Sequence, residues 1–199
     1  MNPWLIVPTL GNRMASLRPL LRDAGMPAVV IDTGDAGLSP SSDEHVVLKD
    51  DGPMNIQRWW NLGIDYAVKY GDCDVAVVVN DDVEAEPGEF RRLAERLSVT
   101  GMDLMYPWVP EHAHGRVTAI TGWCFAIDPQ CLRPDETFEW WYGDNDLELR
   151  TEVGCAMSFD GLRVRHLRKD WSYDRPVDAM IRRDRELFNI RWGWKVGMQ

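Results

Sequence analysis

The chain has 199 residues, a formal net charge of −10 and 45% hydrophobic residues. This length predicts one domain with a substantial core, and the apolar content excludes a disordered chain. The acidic charge repels nucleic acid overall. No apolar stretch reaches the roughly 20 residues that span a bilayer, and residues 1–8 lack a basic signal-peptide region. We therefore expect a cytoplasmic protein with no membrane span.

Strands and helices alternate along the first 106 residues. Short β-branched runs predict strands, and apolar residues at a spacing of three and four predict helices. The predicted strands are 4–8, 28–32, 46–48, 74–79 and 103–106. The predicted helices are 14–24, 55–70 and one that begins near Pro87 and carries Phe90, Leu93, Ala94 and Leu97 on its buried side. This alternation predicts an α/β fold with a mainly parallel sheet.

The second half is less regular. Residues 117–128 predict one or two strands around Gly122, 145–153 a helix, and 163–166 a short strand or loop. Apolar spacing between Val177 and Phe188 predicts a C-terminal helix. No repeat or linker divides the chain, and its four cysteines contain no CxxC pair, so neither a zinc signature nor a disulfide framework is expected.

Asn80, Asp81 and Asp82 follow a wholly apolar run. Such a run is typical of a buried parallel strand, and ligands in open α/β sheets bind beyond the carboxyl ends of the strands. Two carboxylates there suit a hard divalent cation and, through it, a diphosphate. The alternative is a simple turn at the strand end, which Asn and Asp favour.

A second acidic segment, 143–148, begins the helical pattern of the second half. Asn145 and Glu148 have the spacing of a capping box, which gives them a structural role. Asp144 precedes that cap, and the capping box gives it no structural role. It is therefore a candidate base that accepts a proton from an attacking hydroxyl.

Two further features favour a ligand site. His166 lies among basic residues and could complete a metal site with Asp82, or be structural. The ten tryptophans suit carbohydrate clefts as well as cores; Trp140 and Trp141 directly precede the acidic segment, while Trp59 and Trp60 fit a helix core. No GxGxxG, Walker A or GxSxG motif occurs, which disfavours dinucleotide, P-loop and serine-hydrolase chemistry.

Taken in order, these segments resemble the motifs of GT-A fold glycosyltransferases, most nearly those of family 2. Seven matching pieces cover nearly the whole chain: residues 5–9, Asp32, 55–64, 80–82, 143–150, His166 (with Ser172) and 188–193. Two positions depart from the family pattern, because Asn80 replaces the first acid of its D-x-D motif and Gly143 replaces a glutamate.

The resemblance implies a single GT-A type, Rossmann-like domain, with 1–106 as the nucleotide-sugar-binding half and 107–199 as the acceptor-binding half. It implies Asp144 as the catalytic base, and Asp82 with His166 as ligands of Mn²⁺ or Mg²⁺. The remaining implied contacts fall into two groups. Nucleotide-sugar binding is assigned to Pro8, Thr9, Arg13, Asp32, Arg58, Asn80 and Asp81. Acceptor binding is assigned to Trp123, Trp140, Trp141 and Asp146.

The implied reaction moves a sugar from a nucleotide diphosphate sugar to a hydroxyl of a glycan, a protein or a modified nucleic acid, with inversion. Three alternatives stay open. A nucleotidyltransferase also uses strand-end carboxylates and a metal. A non-catalytic glycan-binding module would explain the tryptophans but not Asp82 and Asp144. A glycosyltransferase that acts on modified DNA bases would use the basic residues around His166, against the net charge.

Overall fold

A computed structural model of the chain describes residues 1–34, 37–38, 45–109, 118–151, 153–167 and 175–196, with the side chains of the last helix described over 177–193. The helices are α1 (Met14–Asp23), α2 (Ile56–Gly71), α3 (Glu89–Thr100), α4 (Gly143–Arg150) and α5 (Arg175–Val196). The strands are β1 (Pro3–Thr9), β2 (Ala28–Asp32), β3 (His45–Lys49), β4 (Val75–Val79), β5 (Val83–Ala85), β6 (Leu104–Pro107), β7 (Cys124–Ile127), β8 (Ala156–Phe159) and β9 (Val164–His166).

Seven strands form the central sheet, in the order β3-β2-β1-β4-β7-β6-β8. Within the described ranges, β7 alone runs antiparallel to its neighbours β4 and β6, and the other pairings in this sheet are parallel. Strands β5 and β9 pair antiparallel in a separate two-stranded sheet. The predicted mainly parallel α/β sheet, flanked by helices, is confirmed.

Both faces of the sheet are covered, which explains why its central strands are apolar along their whole length. Every residue of β2 and β4 is buried. On one face, alternate residues such as Val7 and Val77 pack with Leu17 of α1 and Leu93 of α3. On the other face, residues such as Val78 pack with Trp59, Trp60 and Ile64 of α2. The layers leave only strand ends open to a ligand.

The predicted elements of the first half agree with the structure within about two residues, whereas those of the second half need correction. Pro87 lies before α3, whose N-cap is Gly88, so its predicted place in the first helical turn is wrong. Within 118–128 only Cys124–Ile127 forms a strand. Strands β5 and β8 were not predicted. No helix in the described ranges is long and apolar enough to cross a membrane.

Candidate active site

Asp81 and Asp82 lie in the turn directly after β4, and both are buried. Thr9, the last residue of the neighbouring β1, donates a hydrogen bond from Oγ1 to Asp81 Oδ2 over 2.7 Å. Arg13 Nη1 lies 3.2 Å from Asp81 Oδ1 and 2.5 Å from Asp82 Oδ2. The two strand ends therefore share one ionic cluster at the carboxyl edge of the sheet.

Burial raises the pKa of Asp81, although Thr9 and Arg13 oppose that rise. Asp82 responds differently. Burial also disfavours its charged form, but the hydrogen bond from His166 and the charges of His166 and Arg13 outweigh burial and lower the pKa of Asp82. The two carboxyl groups thus differ in proton affinity, and Asp82 is the better anion for binding a cation.

His166 is the last residue of β9, which pairs with β5, the strand that begins directly after Asp82. Its Nε2 lies 3.1 Å from Asp82 Oδ1, and the Asp82 carbonyl accepts a hydrogen bond from Leu167 N over 2.8 Å. The Trp123 ring stacks on the imidazole, with centroids 5.5 Å apart and planes 4° apart. The structure brings together the two predicted metal ligands, and it adds Trp123 as the support of one of them.

A divalent cation needs more ligands than this pair supplies. Among the described residues no group of three or more His, Cys, Asp or Glu side chains could hold a metal ion. A carboxylate oxygen and an imidazole nitrogen are donors that suit Mn²⁺, and in this structure the two are joined by a hydrogen bond of 3.1 Å. Asp82 and His166 would hold a cation in place of that hydrogen bond, with water and a bound phosphate as the other ligands.

Helix α4 starts earlier than the sequence predicts. Its N-cap is Tyr142, in the left-handed conformation with φ of 63°, and no side chain caps it. The predicted capping box is wrong: Asn145 Nδ2 instead donates to Thr118 Oγ1 over 2.6 Å, and Glu148 accepts from elsewhere. Asp144 consequently lies inside the first helical turn and not ahead of the cap.

Asp144 faces the loop that leads into β7. A Cβ on Gly122 would lie 2.8 Å from Asp144 Oδ2, so only glycine permits this approach. Burial raises the pKa of Asp144 to about 6, although the backbone N–H groups of Asn145, Asp144 and Gly122 hydrogen-bond to the carboxylate and oppose the rise. A carboxylate with this pKa is ionised at neutral pH and is a stronger base than an ordinary aspartate.

Gly143 has a structural reason to depart from the family's glutamate. A Cβ at this position would come within 2.3–2.6 Å of the side-chain atoms of Gln57, on α2. Gln57 is buried, and its Oε1 has no hydrogen-bond partner among the described residues. The Gln57 carboxamide therefore fills the space that a side chain at position 143 would need.

The residues predicted to bind the nucleotide divide into two groups. Pro8, Thr9, Arg13, Asn80 and Asp81 lie at or next to the ends of β1 and β4. Asn80 donates its backbone N–H to the Trp123 carbonyl over 2.9 Å, and its buried Oδ1 has no partner among the described residues. Thr121 Oγ1 is a second buried oxygen without a hydrogen-bond partner among the described residues, and no sequence pattern predicted it as a site residue.

Asp32 and Arg58 are each held by an ion pair within the protein. Lys49 Nζ lies 2.5 Å from Asp32 Oδ2, and Gly34 N donates to Asp32 Oδ1 over 3.1 Å. Arg58 pairs with Asp50, from Nη1 to Oδ1 over 2.8 Å, and donates to the Pro53 carbonyl over 2.9 Å. The Arg58 guanidinium is thus already occupied by a carboxylate.

The predicted acceptor role of Asp146 is wrong. Asp146 is fully buried and accepts hydrogen bonds from Arg150 Nε over 2.6 Å, Arg191 Nη1 over 2.8 Å and Trp192 Nε1 over 2.9 Å. It joins α4 to α5, since Arg191 and Trp192 belong to the last helix. A carboxylate with three internal donors and no exposed surface has no contact left for a ligand.

The aromatic residues predicted to bind the acceptor lie in different places. Trp140 is half-buried, packs against the buried cluster on the α2 side of the sheet, and meets the Trp59 ring edge to face at 6.2 Å, so its acceptor role stays a prediction. Trp141 is half-buried and meets the Tyr142 ring edge to face at 6.2 Å. Trp123 is half-buried and lies on His166.

Two acids that the sequence analysis did not predict as site residues support the site. Asp184 of α5 is fully buried and accepts the backbone N–H groups of Glu139, Trp140 and Trp141 over 2.7–3.1 Å. Glu148 accepts from Tyr106 OH over 2.7 Å and from two backbone N–H groups of the loop before β7. The sequence contained one signal for Asp184, which is its position as an acid on the apolar side of the predicted C-terminal helix.

The basic residues around His166 do not form a free positive surface in the described part of the chain. Arg163 pairs with Glu86 and Arg165 pairs with Glu84, both on the surface. Arg168, Lys169 and Ser172 lie outside the described residues. The basic residues around His166 were the sequence argument for a nucleic-acid acceptor, and the pairing of Arg163 and Arg165 with glutamates weakens it.

No family model matches the sequence, and no curated protein matches it. Solved structures do. The crystal structure of S. aureus TarS 1–349 matches with a TM-score of 0.59 and 11% identity over 82% of this chain. That of HddC from Yersinia pseudotuberculosis matches with a TM-score of 0.53 and 14% identity over 83% of this chain. TarS is a GT-A glycosyltransferase, and HddC is a nucleotidyl or glycosyl transferase.

The chain has a GT-A glycosyltransferase fold. The chain spans less than two thirds of the TarS structures, because the match covers 59% of TarS 1–349 and 36% of the longer TarS chain. The match covers 93% of HddC. At these identities the likeness concerns the fold, and the chemistry must be argued from the residues of this chain.

Proposed function

We propose that this protein transfers a sugar from a nucleoside diphosphate sugar to an acceptor hydroxyl. One relationship carries the proposal: Asp144 lies against Gly122, and the next residue, Trp123, lies on the histidine that contacts Asp82. A base with a raised pKa and a pair of cation ligands thus border the same short loop. Transfer from a diphosphate needs these two functions side by side.

Asp144 acts as the base. It takes the proton of the acceptor hydroxyl while the hydroxyl oxygen bonds to the anomeric carbon and the bond from that carbon to the diphosphate breaks. The products are the glycosylated acceptor and a nucleoside diphosphate. A single displacement of this kind inverts the anomeric centre, in agreement with the resemblance to family 2.

The donor binds across the ends of β1 and β4. Asp82 and His166 would hold Mn²⁺ or Mg²⁺, which supplies Lewis-acid stabilisation of the charge on the leaving diphosphate. Arg13 donates to the phosphates. The buried oxygens of Asn80 and Thr121 that lack partners support a polar ligand beside Trp123. Asp81 contacts the ribose or the base through the part of its side chain that stays exposed. Asp32, whose side chain is fully buried beside Lys49, supports this edge of the sheet, and the buried Pro8 and Thr9 form the strand end beneath the donor.

The acceptor approaches Asp144 from the side of Trp141 and Tyr142. Trp140 and Trp141, both half-buried, remain the predicted platforms. A glycan or a protein is the favoured acceptor class, because the described arginines near His166 are paired with glutamates. Arg58 would have to leave Asp50 to contact a phosphate, so Arg13 is the phosphate ligand that we propose.

The test has two stages. The first is a thermal-shift screen of UDP, GDP, dTDP and CDP and their sugars, with and without Mn²⁺, because a ligand that binds only the native state raises the melting temperature. We expect one diphosphate to give a shift that requires the metal. No shift with any of them would contradict the donor site.

The second stage measures release of that nucleoside diphosphate in the presence of acceptor candidates. Asp144→Asn should reduce transfer by about 100-fold or more and leave the thermal shift with donor intact, because only proton removal is lost. Asp160→Asn, at an exposed aspartate, is the matched control and should retain normal transfer. Normal turnover by Asp144→Asn would show that the base is another group.

The match to HddC supports a second candidate, a nucleotidyltransferase. Such an enzyme would release pyrophosphate from a nucleoside triphosphate and would couple the nucleotide to a sugar phosphate. A pyrophosphate assay with each nucleoside triphosphate, run on the same samples, separates the two reactions.

A further inference from the structure

Arg13 occupies the position where a cation would neutralise the two strand-end carboxylates. Its Nη1 bridges Asp81 Oδ1 at 3.2 Å and Asp82 Oδ2 at 2.5 Å. His166 Nε2 takes the other oxygen of Asp82 at 3.1 Å. Both oxygens of the predicted metal ligand are therefore engaged by nitrogen groups of the protein itself.

A guanidinium is charged at any pH at which the protein is folded, so it cannot leave by losing a proton. A divalent cation that bonds to Asp82 would lie within about 5 Å of Nη1, where two positive charges repel each other. The metal and the Arg13 side chain consequently compete for the same carboxylate.

The mobility of the competing groups differs. Arg13 keeps 32% of its side chain exposed, whereas Asp82 keeps 8%. Asp81 is tied to Thr9 Oγ1 and also holds Ser16, whose Oγ donates to the Asp81 carbonyl over 2.6 Å. The arginine can thus swing outward while the carboxylates stay in place.

A diphosphate is a better partner for Arg13 than Asp82 is. It carries more negative charge than a single carboxylate, and its oxygens match the planar fork of a guanidinium. A phosphate bound beside Asp82 would draw Arg13 off Oδ2 and at the same time supply oxygen ligands to the metal.

We infer, on the basis of the proposed function, that Arg13 closes the cation site until a donor diphosphate binds, so that metal and donor enter together. The metal alone binds weakly to the resting protein, and the diphosphate converts Arg13 from a competitor of the metal into a phosphate ligand.

The experiment measures Mn²⁺ binding directly, from the loss of the free Mn²⁺ electron paramagnetic resonance signal, with and without UDP, GDP, dTDP or CDP. Arg13→Met removes the charge and keeps the length of the side chain. Arg13→Lys keeps the charge. Arg18→Met, at an exposed arginine of the same helix, is the control for total charge. Thermal unfolding verifies that each variant is folded.

We expect Arg13→Met to bind Mn²⁺ alone about tenfold or more tightly than the unmodified protein. Arg13→Lys and Arg18→Met should bind Mn²⁺ alone as weakly as the unmodified protein does. In Arg13→Met the diphosphate should add less to the affinity for Mn²⁺, because the competitor is already gone.

Two results would overturn the inference. If the unmodified protein binds Mn²⁺ with a diphosphate but Arg13→Met shows no gain with Mn²⁺ alone, the donor site stands and the role of Arg13 does not. An equal gain in Arg13→Lys would show that packing, and not charge, excludes the metal. Failure of every protein to bind either Mn²⁺ or a diphosphate would instead remove the proposed function.

Discussion

The Trp123 ring lies face to face with the His166 imidazole, with centroids 5.5 Å apart and planes 4° apart. This contact links the loop before β7 to strand β9. Strand β7 belongs to the seven-stranded sheet and β9 to the two-stranded sheet. It fixes the plane of the imidazole, and with it the direction in which Nε2 faces Asp82. The orientation of a proposed metal ligand therefore depends on a residue next to the glycine that contacts Asp144.

Removing the Trp123 ring should weaken metal binding. A stacked aromatic pair contributes about 0.5–1.5 kcal/mol beyond burial, so Trp123→Ala should lower Mn²⁺ affinity in the presence of diphosphate about 2- to 10-fold. Trp123→Phe should retain most of it. Trp108→Ala, at a tryptophan that is 45% exposed, is the control. Equal Mn²⁺ affinity in Trp123→Ala and the control would contradict this role.

The rate of transfer should follow the ionisation of Asp144. Because burial raises its pKa to about 6, and because a base must be unprotonated, kcat/KM should rise with pH and reach half its plateau near pH 6. Initial rates between pH 5 and 8, at saturating metal, measure this. The same rise in the residual rate of Asp144→Asn would assign it to a different group.

The same pKa has a consequence for stability. A carboxyl whose pKa is raised in the folded state stabilises the protein below its ordinary pKa of 3.8, and this stabilisation is lost as the pH rises through about 6. Asp144→Asn should therefore increase the free energy of unfolding at pH 8, by up to about 3 kcal/mol. The gain should shrink towards pH 4. Urea unfolding at both pH values tests this, with Asp160→Asn expected to show no such difference.

Asp146 should matter for stability and not for acceptor binding. Asp146→Ala removes the fully buried carboxylate that Arg150, Arg191 and Trp192 share, and the loss of charge-assisted hydrogen bonds of this kind typically destabilises a protein by about 1.5–3 kcal/mol. Urea unfolding is the measurement, and Asp178→Ala, at an exposed aspartate of α5, should change little. A normal unfolding free energy together with a raised KM for the acceptor would restore the original assignment.

Gly143 and Gln57 should be energetically coupled. Gly143→Ala places a Cβ within 2.3–2.6 Å of the Gln57 side chain and should destabilise the protein by about 1–3 kcal/mol. In the background of Gln57→Ala the same change should be less harmful, by about 1 kcal/mol or more. A double-mutant cycle in urea measures the coupling. Gly193→Ala is the control, because that helical glycine has open space around it and should gain stability.

The sequence predicted well where the carboxylates after β4 lie, because the information for their position is local. An apolar strand followed by Asp81 and Asp82 specifies both burial and the edge at which the acids lie, and the sheet agrees. The contact between Gly122 and Asp144 could not be predicted from the sequence, because the two residues are 22 positions apart and come together only in the folded chain.

The surroundings of α4 and α5 were predicted less well because their contacts are long-range. Asp146 and Asp184 look like ordinary helix residues, yet each finds its partners about 45 positions away in sequence. Tyr142 adopts a positive φ, which is uncommon for a tyrosine and could not be predicted from the residue type. Helix α4 therefore begins two residues before the expected cap. No pattern along the chain reports such pairings.

The single strand that runs antiparallel in the described part of the central sheet places one loop against both groups of candidate site residues. The chain leaves β1 and β4 at the edge where it enters β7, so the loop before β7 meets the ends of β1 and β4. Gly122 of this loop contacts Asp144, and the next residue, Trp123, contacts His166 and Asn80. Under the proposed function, a change of sequence in this one loop should therefore alter donor and acceptor preference together.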